Sequence, residues 1–592
     1  MDYIYMLKKL WKYAECDRKK IVLYYIFHII SVFGIIIQPY AFSMVINTLQ
    51  ENSTNLINDV LFWLTIYMVG FAVFNLFHRI ARFIERDVAF NVKKRFIVKS
   101  YGILQALPLQ WHNENHSGSV IDRLNTAGDS LYHFGNIQAN CIEAIMKFVG
   151  SAIMLTMISP IISIVAITFG VIMILITKKM YTVVVPEYRL QNEKFHDVSA
   201  ALFDYIRNIN TIIILKLGKL VQKDLSIRLD GIFPHIQREN KVTQLKCFYN
   251  ELLTAVLNVG LIFYYIKIRT VMGTAILIGT ITAIFQYLEQ LISSFQFYAF
   301  HYEDIIHWST NFKAASPIYV AYEENEKAKK GRLSHIKGKK WDESNDLPWD
   351  KIEIGPLNYA YENSNAGLFN VKVKINKGKR IAFIGESGAG KSTFLHIMKG
   401  VLPINEIDIN IDGKYADINM LEKFTTFIPQ EAEIFENSIR YNITMGLPDD
   451  ESEIEKSLRL AGFDNVVKKL PNGIDTDIRE NGVNLSGGEK QRLALARGLY
   501  SVRNSSILLL DEPTNNLDIA TERMIYNRIF EGFSQKAIVS VLHRLHLLCL
   551  FDYVYVFKNG SIIEHGTYQE LMENRESEFI QLWNEYLMNS KE

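Results

Sequence analysis

A chain of 592 residues is too long for one hydrophobic core, so two or more domains are expected. A formal net charge of +1 at pH 7 lacks the basic excess of a phosphate-tracking surface and argues against a nucleic-acid binder. The four cysteines, Cys16, Cys141, Cys247 and Cys549, are too scattered for a zinc site or a disulfide framework and read as small buried apolar side chains.

The chain opens on a mixed polar stretch with Lys8, Lys9, Lys12, Arg18, Lys19 and Lys20, which reads as an amphipathic cytosolic lead-in, not a signal peptide. Six apolar runs follow, at 21–46, 57–80, 138–158, 161–184, 247–267 and 274–297. Each is near the length of about 20 residues that crosses roughly 30 Å of hydrocarbon. Lys and Arg crowd before the first run and after the second and fourth, whereas the turn at Ser159–Pro160 has neither. The basic side is the cytoplasmic one, which puts the N-terminus in the cytosol, although Lys267 and Arg269 break the rule in the last outer loop.

Runs two and three are nearly 60 residues apart, as are four and five, and both connections have helix-like composition. They read as membrane helices prolonged into the cytosol, the alternative being two small cytoplasmic insertions. Glu251, Gln286 and Glu289 are the leading candidates for a cavity lining, because an ionisable group facing lipid is costly. Gln286, Glu289 and Gln290, at i, i+3 and i+4, lie near one helix face. Two such faces would make a wet, mildly acidic cavity suited to cationic or amphipathic cargo, with interhelical hydrogen bonding as the plainer reading. Residues 317–350 are charged and poor in apolar side chains and read as a linker.

From Lys351 the pattern changes: KIEI, VKVKI and RIAFIG read as strands. The last runs into Gly385-Glu386-Ser387-Gly388-Ala389-Gly390-Lys391-Ser392, a phosphate loop between strand and helix. Gly385, Gly388 and Gly390 let backbone N–H groups converge on phosphate oxygens. Lys391 is expected at the outer phosphates, Ser392 on Mg2+, and Thr393 among the nucleotide contacts. The aliphatic run Ile507–Leu510 reads as a parallel strand buried on both faces. It ends in Asp511 and Glu512, which emerge where open α/β sheets bind ligands. Asp511 is expected to organise Mg2+ through water, and Glu512 to polarise the attacking water.

Between these motifs lies Leu485-Ser486-Gly487-Gly488-Glu489-Lys490-Gln491-Arg492, which resembles the signature of ABC transporter ATPases. The resemblance extends over the chain, whose order of six spans, linker and ATPase domain is that of the exporter-type half-transporters. It implies a multi-domain fold, an all-α six-helix transmembrane domain (1–316) joined through the linker to an α/β P-loop NTPase domain (351–592). It further implies that Tyr361 stacks on adenine and that Gln430 lines the Mg2+ and water site. His543 resembles the histidine that senses the terminal phosphate, and Asn515-Asn516-Leu517-Asp518 the loop that crosses the dimer interface. Asp477 to Asn484 resembles an exporter-type loop that touches the membrane domain. Leu107-Pro108-Leu109 and Ile206 to Lys219 resemble the two coupling segments, with Leu220 after Lys219 where the family often has acidic residues. Two departures stand out: Asn515 and Asn516 replace common small residues, and Arg544-Leu545-His546 follows His543 without the usual Ser-Thr.

The resemblance implies ATP held between two ATPase domains, the phosphate loop of one copy meeting Ser486, Gly487 and Gly488 of the other. Cofactors are ATP and Mg2+. The intact motifs favour a homodimer, with a heterodimer of two half-transporters as the alternative. The chain is expected as a multi-pass protein of a bacterial inner (cell) membrane, exporting or flipping a hydrophobic or amphipathic small molecule or lipid. An importer on the same architecture, a lipid or lipid-linked saccharide flippase and an ATP-gated channel stay open. A soluble ABC ATPase acting on nucleic acid is set aside by the apolar first 300 residues.

Overall fold

Helices build the first part of the chain and sheets with flanking helices the second, and the division into two compact units falls between Lys330 and Gly331. The computed structural model describes residues 2–51, 55–335, 349–361, 366–402, 404, 407–478, 485–574 and 576–589.

In the first unit, α1 (Asp2–Ala14) buries Met6, Leu10 and Tyr13 on one stripe, as an amphipathic lead-in requires. α2 (Arg18–Glu51) and α3 (Leu56–Gln105) carry the first two expected spans. The short α4 (Leu109–Glu114) and α5 (Ser117–Asn136) lead into α6 (Gln138–Ile158) and α7 (Pro160–Arg207). The short α8 (Ile209–Ile214) and α9 (Gly218–Asp230) precede α10 (Phe233–Val271) and α11 (Ile278–Ala314). The long connections are therefore helical, and the two expected coupling segments fall on and around the short helices α4 and α8. At 1.5 Å per residue, the 50 residues of α3 span about 75 Å, more than twice the thickness of the hydrocarbon layer.

Five helical stretches among the described residues are long and apolar enough to cross a membrane. The sixth expected span, in α11, is not among them, because Gln286, Glu289 and Gln290 interrupt its apolar run. The expectation of four buried cysteines holds for Cys141; Cys16 and Cys549 are exposed, in a polar turn and a surface segment, and Cys247 is half-buried. The expected linker 317–350 starts as α12 (Ser316–His335), where Glu, Lys and Ala favour a helix that the charge count alone reads as a linker. Residues 336–348 lie outside the described residues.

α2 and α3 cross at glycines. A Cβ on Gly34 would sit 2.3 Å from the Gly70 carbonyl oxygen, so only hydrogen permits this approach.

Among the described residues, the second unit holds two sheets. β1 (Lys351–Ala360) pairs antiparallel with β2 (Gly367–Asn376) in the smaller one. β3 (Arg380–Gly385) runs into the phosphate loop and α13 (Lys391–Met398), followed by β4 (Ile409–Ile411) and β5 (Lys414–Ala416), which complete the smaller sheet in the order β2-β1-β4-β5. α14 (Ile418–Phe424) precedes β6 (Thr425–Ile428), and α15 (Ile439–Thr444), α16 (Glu451–Leu460) and α17 (Asp464–Val467) precede α18 (Gly487–Ser501), the signature helix. β7 (Ile507–Asp511), α19 (Ile519–Gly532), β8 (Ala537–Val541), β9 (Tyr553–Lys558) and β10 (Ser561–Gly566) follow, then α20 (Tyr568–Glu573) and α21 (Glu578–Asn589).

The larger sheet has the order β10-β9-β3-β8-β7-β6, with β9, β3, β8, β7 and β6 mutually parallel. Its strands are covered on both faces. Along β7, Leu508 and Leu510 enter one core while Ile507 and Leu509 enter the other, the period of two that a pleated strand imposes. With β3, β8 and β7 adjacent and parallel, their carboxyl ends deliver the phosphate loop, His543 and Asp511-Glu512 to one edge of the sheet.

Candidate functional site

The phosphate loop owes its path to its glycines. Gly385, Gly388 and Gly390 take φ values of 139°, 82° and 101°, in the region where a side chain is strained. At Gly385 a Cβ would lie 2.1 Å from the Phe557 carbonyl oxygen, so residue type is dictated by space as well as by φ. Lys391 opens α13, is buried, and donates from Nζ to the carbonyl oxygens of Gly385 and Glu386 at 2.8 Å each. Burial pushes its ammonium below the ordinary lysine value, against the pull of the Glu512 and Asp511 carboxylates.

Ser392 Oγ donates to Asp511 Oδ1 at 2.9 Å, which joins α13 to the end of β7. Burial pushes the Asp511 carboxyl up, and the Ser392 bond opposes that shift. These two oxygens are hard donors that suit Mg2+. Tyr361 is exposed at the end of β1, with its hydroxyl 3.0 Å from Thr393 Oγ1, so the expected adenine contact and the phosphate loop share one edge.

Glu512 is 8% exposed and has a φ of 46°, unusual for a residue with a side chain. Gln430 Nε2 donates to its Oε2 at 2.9 Å, and His543 Nε2 lies 3.1 Å from its Oε1. Gln430 thus meets Glu512, not the Ser392–Asp511 pair. Of the expected catalytic set, Glu512, Gln430 and His543 form one cluster, and Lys391, Ser392 and Asp511 line the adjoining strand end.

Ser486 caps α18 with a reciprocal box: its N–H and Oγ both donate to Glu489 Oε2 at 2.8 Å, while Glu489 N–H donates back to Oγ. These bonds, led by the Ser486 N–H, hold the Glu489 carboxyl below its ordinary value. Ser486 and Gly487 are exposed, so the start of the signature helix is open on the surface of this unit. A Cβ on Gly488 would meet Leu517 at 3.1 Å, which puts the signature helix directly beside the expected interface loop. Of the stretch Asp477 to Asn484, residues 479–484 lie outside the described residues.

Sequence reasoning missed the residues that hold the interface loop. Arg544 Nη1 donates to the Leu517 carbonyl at 2.6 Å and to Glu522 Oε2 at 3.2 Å, and Nη2 donates to the Asn515 carbonyl at 3.2 Å. Glu522 is buried and also accepts from Thr514 Oγ1 at 2.6 Å. Asn516 N–H donates to Gln491 Oε1 of α18 at 3.0 Å, and Asn515 Nδ2 donates to Glu512 Oε2. One signal was available: Asp518 caps α19 through Thr521 N–H at 2.9 Å, which puts Glu522 in its first turn, facing the loop.

In the membrane part, Asn258 Nδ2 of α10 donates to Glu289 Oε1 of α11 at 2.5 Å. Gln290 accepts from Ser151 Oγ of α6 at 3.2 Å and reaches the Ile35 carbonyl at 3.5 Å. Glu289 and Gln290 are therefore interhelical ties within one copy. Gln286 is half-buried, one turn away from them on α11. Glu251 is exposed, about two turns along α10 from Asn258, and is not drawn into this cluster.

Residues 21–295 match the family model of the ABC transporter transmembrane region and residues 368–515 that of the ABC transporter. The chain is 37% identical over 228 residues to the heterocyst differentiation ATP-binding protein HepA of Nostoc sp., covering 38% of this chain and 37% of that protein. It is 26% identical over 538 residues to ATP-binding cassette sub-family B member 6 of Mus musculus, covering 86% of this chain and 58% of that protein. The chain thus spans less than two thirds of the length of either relative. A solved structure of a bacterial Atm1-family ABC exporter with ATP bound shares the fold, with a TM-score of 0.79 at 20% identity, over 96% of this chain and 99% of that one.

Proposed function

We propose, from the premise that this chain belongs to the ABC transporter family as an exporter-type half-transporter, that two copies hydrolyse ATP and move a hydrophobic or amphipathic substrate across a bilayer. The observation that carries the reading is the convergence of Lys391, Ser392, Asp511, Glu512, Gln430 and His543 at the carboxyl ends of adjacent parallel strands.

In this reading the loop from Gly385 to Gly390 cradles the ATP phosphates through backbone N–H groups, and α13 points its positive end at them. Lys391 turns from the loop carbonyls to the outer phosphates, and Tyr361 and Thr393 hold the nucleoside side. Ser392 and Asp511 would hold Mg2+, which supplies charge neutralisation at the transferring phosphoryl group, while Gln430 stays on the Glu512 carboxylate. Glu512 orients and deprotonates the attacking water, and His543 contacts the terminal phosphate. Ser486, Gly487 and Gly488 of a second copy close the site with preorganised donors.

Stacked positive charge on the phosphates is worth most when water is excluded, which is why closure of two copies and catalysis are coupled. The apolar helical stretches make the protein a multi-pass membrane protein, and the basic loops support a cytosolic ATPase domain in a bacterial inner membrane. Exposed signature residues, with every motif residue of assigned chemical role present in this one chain, support a homodimer.

The test is reconstitution into liposomes, with compounds and lipids screened for ATPase stimulation and paired transport. A substrate that raises hydrolysis and accumulates on the far side in an ATP-dependent way supports the reading. Uptake in the opposite direction makes the protein an importer, and a one-to-one complex with a different chain in native mass measurement refutes the homodimer.

A further inference from the structure

The interface loop departs from small residues at Asn515, and that side chain contacts the proposed general base itself. The Glu512 carboxylate is met by two amide donors and flanked by an imidazole nitrogen. Gln430 Nε2, at 2.9 Å, and Asn515 Nδ2 both converge on Oε2, while His543 Nε2 lies 3.1 Å from Oε1. A carboxylate oxygen offers two lone-pair directions. Oε2 is therefore filled by two amides, and the capacity that would accept a proton from water is confined to what His543 leaves on Oε1. Glu512 is buried and its backbone sits in the left-handed region, so the carboxylate has little room to turn away from these donors.

Asn515 is also held from outside. Its carbonyl accepts from Arg544 Nη2 at 3.2 Å, and the next residue, Asn516, donates from its N–H to Gln491 of the signature helix α18 at 3.0 Å. Gln491 is buried, so displacement of α18 is transmitted to the loop through a fixed bond. The start of α18 is the surface expected to meet the nucleotide of a second copy. A mechanical link thus runs from the partner-facing signature helix to the loop, and from the loop amide to the base.

We propose that Asn515 is a rate-setting positioning residue, whose amide restrains Glu512 and releases it when a second copy engages α18 and shifts the loop. The proposal rests on the assignment of Glu512 as the base. It makes the Asn515 side chain a brake on hydrolysis by an unengaged site and leaves nucleotide binding to other residues.

The test is steady-state ATP hydrolysis by the purified full chain in lipid nanodiscs with Mg2+, for wild type, Asn515→Ala, Asn515→Ser, Asn515→Gln and Glu512→Gln. Loss of the amide should raise kcat about three- to ten-fold, the span of one net hydrogen bond, in both Asn515→Ala and Asn515→Ser. KM should stay within about two-fold, since the amide acts on the base and not on ground-state binding. Asn515→Gln keeps an amide on a longer arm and should lie between wild type and Asn515→Ala. An unchanged or lowered kcat in both Asn515→Ala and Asn515→Ser, or a rise in KM that tracks kcat, overturns the proposal. Near-normal hydrolysis by Glu512→Gln instead removes the base assignment on which it stands, so the two failures are told apart.

Discussion

Arg544 is the side chain on which the geometry of the interface loop depends most, and its removal has a calculable cost. Arg544→Ala takes away donors to the carbonyls of Leu517 at 2.6 Å and Asn515 at 3.2 Å, and leaves Glu522 without its cationic partner at 3.2 Å. The Glu522 side chain is 5% exposed, so the carboxylate left behind is buried; Arg544 is 31% exposed, so solvent screens part of the pair. Breaking a buried pair costs about 3–5 kcal/mol, and the partial exposure brings the expected loss to about 3 kcal/mol. For a domain of this size that lowers the unfolding midpoint by roughly 6–12 °C. Arg544→Lys keeps the charge but not the planar fork, so it should recover only part of the loss. Differential scanning fluorimetry of the purified full chain, read on the transition of the ATPase unit, measures both variants. A midpoint for Arg544→Ala within about 1 °C of wild type, or full recovery by Arg544→Lys, refutes the reasoning, because neither fits a fork serving two carbonyls and a buried acid.

Gly34→Ala should lower the yield of folded protein in size-exclusion chromatography, since its Cβ would lie 2.3 Å from the Gly70 carbonyl oxygen; normal yield would show that α2 and α3 can separate at no cost. The capping box of α18 should be pH-dependent. The Glu489 carboxyl is held below its ordinary value, so its contribution is fully present above the ordinary carboxylate range and is lost as pH falls through the lowered value. Acid titration of thermal stability should therefore flatten in Glu489→Gln, and an unchanged slope would count against the box. Glu289→Gln retains an acceptor for Asn258 whereas Glu289→Leu removes it, so thermal stability of the full chain should fall in Glu289→Leu and be largely kept in Glu289→Gln; equal behaviour of the two denies the tie a structural role.

The elements legible in the sequence are those written in local patterns. The strand Ile507–Asp511 was readable because four consecutive aliphatics demand cover on two faces, and the two cores provide it. The phosphate loop was readable because its glycines serve backbone conformations that few other residues adopt. Tertiary pairs were not readable. Nothing in the sequence local to Arg544 says that its guanidinium reaches back to Asn515 and Leu517, since β7 and β8 must first pair to bring the two segments together. For the same reason, Asn515 could be recognised as a departure from the family while its contact with Glu512 could not. In the membrane half, hydropathy located α2, α3, α6, α7 and α10, but Glu289 and Gln290 in α11 are explained by their partners, Asn258, Ser151 and the Ile35 carbonyl. The division between the two units falls inside the charged stretch 317–350, whose first part is helical because its Glu, Lys and Ala are good helix formers, a detail that the charge count does not carry.

The central claim is that this chain couples ATP hydrolysis at Glu512 to the joining of two copies. The measurement that tests it most directly compares wild type with Glu512→Gln for Mg2+-dependent ATP turnover and retained nucleotide, in the same lipid-embedded preparation. The account predicts that Glu512→Gln loses about a hundredfold or more in turnover, the scale of a positioned general base, while retaining ATP in a closed dimer. Near-normal turnover by Glu512→Gln, or loss of ATP binding along with turnover, would contradict it.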